Sequence, residues 1–378
     1  MDLANFSAGR YEQRYEYKVF LPEPVCHEWI VADPELMDLL GRADRALGEL
    51  NAFSQLIPDI DFFIRMYVAK EATQSSRIEG TQTNIEDAFK DADDLKPEER
   101  DDWSEVQNYI RAIKFAIESL ETLPLSVRLL KQTHAVLMEG VRGEHKLPGE
   151  FRTSQNWIGV SLEHAAFVPP HHEHVPALMG DLEKFLHTRH FVHPLVRIAI
   201  AHYQFETIHP FLDGNGRLGR LMISLYLASE ELLHKPALYL SDYFERNKTA
   251  YVDHLMAVRQ ANHLREWLVF FLYGVEETAR ASARVFRAII DLKQRIERDV
   301  LPRFSARRQD NAHDLMRHLY GRPVVDIKWA TNVIGASTNT AAALIADLVE
   351  QGVLVESTGQ RRNRLFVFEE YLSLFRPH

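Results

Sequence analysis

Between residues 30 and 300, apolar side chains recur three and four positions apart, the spacing of helices that bury one face. Breakers cut this stretch into segments. Asp33-Pro34 supplies an N-cap and a first-turn proline for a helix through Leu50. Pro58-Asp59 opens the next, with Ile60, Phe63, Tyr67 and Ile78 at helical spacing and Gly80 at its end. Further helices are predicted over Trp103–Leu120, Pro124–Glu139, Pro176–His187, Pro194–Ile208, Leu218–Leu233, Ser241–Asn262 and Glu266–Val300, the last ended by Pro302. Residues 140–175 break the pattern, because Gly143, Pro148, Gly149, Gly159, Pro169 and Pro170 forbid a helix. Within them, Asn156–Val160 and Ala165–Val168 read as the two strands of a small hairpin. The first 35 residues are rich in Tyr and Pro and carry no helical period.

The tail follows a different order. Helices are expected over Asn311–Tyr320, Asp326–Ile334 and Thr338–Gln351, then strands at Val353–Val355 and Leu365–Phe368. Three helices followed by a hairpin is the pattern of a winged helix-turn-helix. Gly335 and Ser337 make its turn, Ser337 or Thr338 caps the third helix, and Arg361, Arg362 and Arg364 sit at the hairpin tip. The expected fold class is mainly α: a helical core with one small hairpin, plus this tail. Three regions follow, residues 1–122, 123–300 and 301–378.

Charge sharpens that division. The 378 residues carry a formal net charge of −10, which excludes a protein that is basic along its whole length, as a general nucleic-acid coat would be. Residues 301–378 hold 10 Lys and Arg against 8 Asp and Glu, while residues 1–300 hold 34 against 46. Residues 86–105, with ten acidic and three basic side chains, read as a solvated helix end and loop. A lone cysteine, Cys26, excludes an internal disulfide framework. The longest apolar run, Trp267–Val275, has nine residues, where a membrane-spanning helix needs about 20. The start, Met1-Asp2-Leu3-Ala4-Asn5, lacks the basic and then apolar order of a signal peptide. The expectation is a soluble cytoplasmic protein, off the membrane.

One segment between two predicted helices concentrates chemistry: His209-Pro210-Phe211-Leu212-Asp213-Gly214-Asn215-Gly216-Arg217-Leu218-Gly219-Arg220. Gly214 to Gly219 matches G-x-G-x-x-G, but a dinucleotide fingerprint needs a preceding strand and a βαβ unit, and here a helix precedes it. No Gly-Lys-Ser/Thr follows, so a P-loop is excluded as well. The phosphate chemistry survives without those folds. Gly214 and Gly216 let the backbone approach a ligand, and successive N–H groups at a helix start form an anion nest. Arg217 and Arg220, three apart, share a helix face on which both can grip phosphate oxygens. Asp213 is a hard oxygen ligand suited to Mg²⁺, and His209 can act as a base near neutral pH. The segment therefore points to a Mg-bound polyphosphate with a general base at its edge.

His209 to Arg220 also resembles the Fic motif, H-P-F-x-D/E-G-N-G-R-x-x-R, at every defined position. The resemblance, covering roughly residues 60–275, implies a protein adenylyltransferase that uses ATP and Mg²⁺ to move AMP onto a Ser, Thr or Tyr hydroxyl, its own included. It implies that His209 takes the hydroxyl proton, Asp213 holds Mg²⁺, and Gly214, Asn215 and Gly216 form an anion hole. Arg217 and Arg220 would meet the β- and γ-phosphates. Pro210, Phe211 and Leu212 complete the nucleotide-binding loop. The intact Gly-Asn-Gly core favours AMP over phosphoryl transfer. The hairpin at about 156–167 becomes a flap that pairs with an extended segment of a target protein. Tyr243 and Asn247 lie where the family contacts adenosine, and Gln204 is a further nucleotide-binding candidate.

Ser75-Ser76-Arg77-Ile78-Glu79-Gly80 matches the family's inhibitory motif, S/T-x-x-x-E-G/N. The resemblance implies that the helix over about 59–80 is a brake, with Ser75 and Glu79 its working residues and Glu79 paired to Arg220. A carboxylate there removes a cation from the site and repels a triphosphate. His171, His172 and His174 cluster without cysteines, and Glu206-x-x-His209 lacks the second copy that a di-iron site needs, so no protein-only metal site is expected. Thr338, Asn339 and Thr340 could face DNA, but the third tail helix has no Lys or Arg and carries Asp347 and Glu350. DNA binding, protein docking and homodimer formation by the tail all stay open. Two alternatives to AMP transfer remain: a DNA-binding transcriptional regulator with a nucleotide-sensing Fic domain, and removal of AMP from targets by the same groups.

Overall fold

The computed structural model describes residues 3–56, 60–141, 145–189, 192–359 and 364–376. The helix start at Pro58-Asp59, the breaker Gly143, and Arg361 and Arg362 lie outside them. The chain opens on an antiparallel hairpin, β1 (Gly9–Arg14) and β2 (Tyr17–Pro22), with Tyr11 opposite Phe20. Helices α1 (Pro34–Leu56), α2 (Ile60–Ile78), α3 (Arg100–Ser119) and α4 (Val127–Leu137) follow. The flap hairpin is β3 (Ile158–Gly159) with β4 (Ala165–Phe167). Then come α5 (Val175–His187), α6 (Pro194–Ile208), α7 (Asn215–Ser229), α8 (Ser241–Arg246), α9 (Lys248–Ala261) and α10 (Leu264–Arg295).

Two expectations change. The one small hairpin expected becomes two, because the first 35 residues, for which no strand is predicted, hold β1 and β2, which strap onto the core through Phe20 N to Val168 O (3.0 Å) and Ala8 N to Asn262 Oδ1 (2.8 Å). The single helix expected over Ser241–Asn262 breaks at Asn247, whose side-chain amide donates to the Tyr243 carbonyl at 2.9 Å. The boundaries of α6 match the expected ones. His193 Nδ1 caps its start by accepting from Leu195 N, and Pro194 occupies the first turn, where its missing N–H costs nothing.

The core centres on α6, in which every residue from Leu195 to Ile208 is buried. Helices α5, α7 and α10 surround it, and Trp267 Nε1 bonds the Ala199 carbonyl at 2.9 Å, tying α10 to α6. A helix buried on every face sits in the middle of such a bundle, with polar side chains such as Arg197 and His202 hydrogen-bonded inside it. Its C-terminus carries the chemical segment, so the site stands on the most deeply packed element of the fold.

After α10 the backbone passes through a π-helical turn, Ile296–Val300, and a 3₁₀ turn at Leu301–Arg303 that contains Pro302. The tail then runs α11 (Ala306–Leu319), β5 (Val324–Val325), α12 (Ile327–Ile334), α13 (Thr338–Glu350), β6 (Val355–Glu356), β7 (Phe366–Val367) and α14 (Glu369–Ser373). The strands form one sheet in the order β5-β7-β6. The tail packs on α2: the Phe63 and Tyr320 rings lie 5.1 Å apart, and those of Tyr67 and Phe375 5.2 Å. The acidic stretch meets it through Asp91–Arg322 (3.1 Å) and Glu86–Arg376. Part of the charge imbalance between body and tail is thus matched across this contact. Among the described residues, no helix is long and apolar enough to cross a membrane.

Candidate active site

Helix α6 ends with His209 in the left-handed region, φ +50° and ψ +61°. That conformation is uncommon for a residue with a Cβ and is held here by surrounding hydrogen bonds. Arg152 Nε donates to the His209 carbonyl at 2.9 Å, its Nη2 reaches the Ile208 carbonyl at 3.3 Å, and Asn156 Nδ2 donates to the carbonyls of His209 (3.2 Å) and Phe211 (2.9 Å). Asn215 closes the loop on itself: its Oδ1 accepts from Phe211 N at 2.9 Å and its Nδ2 donates to Phe211 O at 2.8 Å. The Asn215 side chain thus shapes the loop, leaving any anion contact to the backbone.

The imidazole of His134 stacks on Phe211 with centroids 3.9 Å apart. Gly149 N–H donates to its Nδ1 at 2.9 Å, so its Nε2 carries the hydrogen and donates to Asp213 O at 3.0 Å. Burial pushes this histidine down to about 4, which keeps it neutral and fixes that tautomer. Gly214 takes φ +73° and N-caps α7; a side chain there would strike Met138 Sδ at 2.8 Å. The first N–H groups of α7 lack intrahelical acceptors and face the cleft with the positive end of the helix dipole.

His209, Leu212, Asp213, Gly214, Asn215, Gly216, Arg217 and Arg220 line one cleft of about 590 Å³, together with Glu79. Both arginines are engaged. The Arg220 Nη2 donates to Glu79 Oε1 at 2.7 Å and to Ser75 O at 2.9 Å, while its Nε donates to Ser75 Oγ at 2.9 Å. Burial opposes ionisation of Glu79, but the charge of Arg220 outweighs it and holds the carboxyl below its ordinary value. Arg217 Nη1 donates to Glu105 Oε2 at 3.2 Å. His209 is pushed down to about 4, first by burial and then by the charges of Arg259 and Arg152, so it enters neutral pH as a free base.

Asp213 offers an ionised oxygen at the cleft wall. Burial would raise its pKa, but the ion pair to Lys146, 2.9 Å from Oδ2, and the Gly214 N–H on Oδ1 at 2.7 Å bring it down. A carboxylate that already holds a cation, beside an anion cradle, fits a divalent ion. Among the described residues no group of three or more His, Cys, Asp or Glu could hold a metal by itself. An ion at Asp213 would therefore take its remaining ligands from phosphate and water.

Not every candidate reaches the cleft. Gln204 is buried, and its Nε2 donates to Glu23 O at 3.0 Å, so it anchors the N-terminal strap. Tyr243 packs against Phe270, 5.0 Å between centroids, and Asn247 marks the break between α8 and α9. Pro210 and Phe211 are buried beneath the loop, and Ser75 is buried behind Arg220. The cleft wall opposite the loop is instead α9, with Lys248, Tyr251, Val252, Leu255, Met256 and Arg259. Sequence reasoning missed those residues, although Lys248, Val252, Leu255 and Arg259 recur at helical intervals. It also missed Glu105, which is buried at 8 % exposure despite closing an acidic run. The flap supplies Trp157, Ile158, Ala166 and Phe167, and Arg259 lies over the Phe167 ring at 4.0 Å. His171 pairs with Glu173 at 3.1 Å, and His174 lies 3.9 Å from Glu12.

Comparison with known proteins agrees with this geometry. Residues 37–118 match the Fic/DOC family N-terminal model and residues 124–227 the Fic/DOC family model. The chain is 30 % identical over 133 residues to a protein adenylyltransferase Fic of Drosophila erecta, covering 34 % of this chain and 25 % of that one. It is 31 % identical over 133 residues to that of Drosophila persimilis, covering 34 % and 24 %. The match thus spans about a quarter of the length of these curated relatives. A Fic family protein from Desulfovibrio desulfuricans superposes with a TM-score of 0.55 at 21 % identity, covering 89 % of this chain and 97 % of the other. A Fic domain containing signaling protein from Bacteroides thetaiotaomicron does so with 0.53 at 16 %, covering 65 % and 95 %. With the motif, the N-terminal and core models and the fold in agreement, the chain belongs to the Fic/DOC family.

Proposed function

We propose that this protein transfers AMP from Mg-ATP to a Ser, Thr or Tyr hydroxyl of a protein, and that Glu79 holds the reaction off. The observation that carries this is the cleft itself: a neutral, partly exposed imidazole, an ionised Asp213, and Arg220 clasped by Ser75 and Glu79. In the step, Nε2 of His209 accepts the hydroxyl proton. The hydroxyl oxygen bonds the α-phosphorus, the bond from that phosphorus to the bridging oxygen breaks, and pyrophosphate leaves. Asp213 would hold Mg²⁺, which when bound offsets phosphate charge. Arg217, positioned by Glu105, and Arg220, once freed from Glu79, would grip the outer phosphates.

The flap would present the target. A two-stranded hairpin leaves an unpaired strand edge, and its Val160 is 95 % exposed. An extended peptide added to that edge would lie across the cleft above His209. The tail, read as a winged helix, sits against α2 and so against the brake; DNA, a protein or a second copy of the chain are its candidate partners. Incubation with Mg-ATP and cell lysate, followed by mass spectrometry, tests the reading. The Glu79→Gly variant is expected to leave AMP on hydroxyl side chains, and His209→Ala none; unmodified proteins with both would refute it. Loss of AMP from a pre-modified target, dependent on Glu79, would favour removal over transfer. Specific DNA binding without transfer would favour the regulator.

A further inference from the structure

Glu206 is a buried acid that the reaction described above does not use. It lies on α6 one turn before His209, at 7 % exposure. Its Oε2 is 4.0 Å from Nδ1 of His209. Neither Glu206 Oε1 nor His209 Nδ1 has a hydrogen-bond partner within distance among the described residues. Space for the carboxylate comes from Gly219, where a Cβ would meet Glu206 Oε1 at 2.3 Å. A glycine in the second turn of α7 thus makes room for this side chain.

The charges around His209 show what such a carboxylate can do. When His209 takes a proton it becomes a cation in a buried site already facing Arg259 and Arg152, both of which disfavour it. The backbone carbonyl of Glu206 favours the protonated ring. The Glu206 carboxylate, an acceptor 4.0 Å from Nδ1, favours the tautomer that carries its hydrogen there and leaves Nε2 bare. We infer that Glu206 is a positioning residue for AMP transfer: its carboxylate closes on Nδ1–H of His209, holds the ring with Nε2 toward the substrate hydroxyl, and offsets the imidazolium charge formed as the proton arrives. This rests on His209 being the base of the proposed reaction. Catalytic hydrogen bonds are often long before substrate binds, and a shift of about 1 Å closes this one. The proton passes from the hydroxyl oxygen to Nε2 and no bond to Glu206 is made or broken.

The same geometry brings a pH dependence. Glu206 is pushed up to about 7, chiefly by burial, with Glu79 adding to the shift and Arg220 and Arg259 opposing it. The groups facing it are Arg220 from α7, Arg259 and Tyr251 from α9, Glu79 beyond α2 and His209 itself. The ionised form accepts from Nδ1–H more strongly and alone offsets the imidazolium charge, so that contribution is present above its pKa and lost below it.

Two measurements decide the matter. In protein labelled with ¹⁵N-histidine, the His209 resonances, identified by their loss in His209→Ala, should show Nδ1–H at pH 8 and inflect near pH 7. Glu206→Gln, which keeps the backbone carbonyl and the side-chain shape, should remove that inflection without lowering the melting temperature. An unchanged inflection in Glu206→Gln overturns the inference. In the Glu79→Gly background, kcat for AMP transfer should rise with pH through the Glu206 ionisation, which moves below its wild-type position once Glu79 is gone. Adding Glu206→Gln should lower kcat about 10- to 100-fold, flatten that limb and leave KM for ATP unchanged. An equal kcat with an equal pH profile overturns the inference. If Glu79→Gly transfers no AMP at any pH, the proposed function fails, and the resonance measurement still decides the role of Glu206.

Discussion

Replacing Glu79 by glycine removes one partner of Arg220 and leaves the others. The bond from Arg220 Nη2 to Glu79 Oε1 is 2.7 Å, and the guanidinium is 2 % exposed while the carboxylate is 42 % exposed. A hydrogen bond between charged groups contributes about 1.5–3 kcal/mol, and the exposure of Glu79 places this one at the lower end, about 1.5–2 kcal/mol. At a factor of ten per 1.4 kcal/mol, freeing Arg220 raises the competent population about 10- to 30-fold. The Ser75 contacts, at 2.9 Å each, hold Arg220 in place in the variant. Glu79 lies just past the end of α2, so the substitution costs no core packing. The assay is the initial rate of self-labelling from labelled ATP at fixed protein concentration, with melting temperatures as the control. Glu79→Gln, which keeps a hydrogen bond and loses the charge, should fall between wild type and Glu79→Gly. A rise of less than about twofold, or an equal rise in the Glu79→Gly, His209→Ala double variant, would show that the Glu79–Arg220 contact does not hold back transfer through His209.

Two other consequences follow from the geometry. Lys248 Nζ donates to the Ile78 carbonyl at 2.5 Å and so ties the end of the brake helix to α9; a partly buried hydrogen bond of this kind contributes about 0.5–1 kcal/mol, so Lys248→Met should speed self-labelling about two- to fivefold, with no further gain in Glu79→Gly, and an additive gain there would contradict the tether. Burial pushes His134, His202 and His209 down to about 4, about 3 and about 4, so the unfolded chain takes up their protons first as pH falls below about 6.5. Their contribution is whole above that pH and lost below it; Glu206, raised to about 7, works in the opposite direction. These four groups together lose roughly 3 kcal/mol between pH 7 and 5, and a urea midpoint that does not fall from pH 7 to pH 5 would contradict it.

The chemical segment was legible because its signals are local. Proline in the first turn, glycines in the loop and the spacing of Arg217 and Arg220 are all set within a few residues. The same holds for α6, whose cap and proline are adjacent in sequence. The N-terminal hairpin was not legible because its two-residue turn uses Tyr15 at φ +41° instead of an Asn-Gly pair. The break at Asn247 has no glycine or proline to announce it. Glu105 reads as one more solvated acid in a charged run, and only its pairing with Arg217, distant in sequence, reveals its place. Gln204, Tyr243 and Asn247 were placed by position relative to the motif, whereas contact with the cleft depends on how α8 and α9 turn. The candidate site is thus readable where one loop makes it, and hidden where distant elements complete it.

ATP labelled at one phosphate or another distinguishes transfer of AMP by this cleft from transfer of the terminal phosphate. Glu79→Gly incubated with Mg²⁺ and α-phosphate-labelled ATP should become covalently labelled. The γ-labelled nucleotide should leave no label, and His209→Ala should take up neither. Label arriving from the γ-phosphate, or none from the α-phosphate in Glu79→Gly, would mean that the cleft does not move AMP.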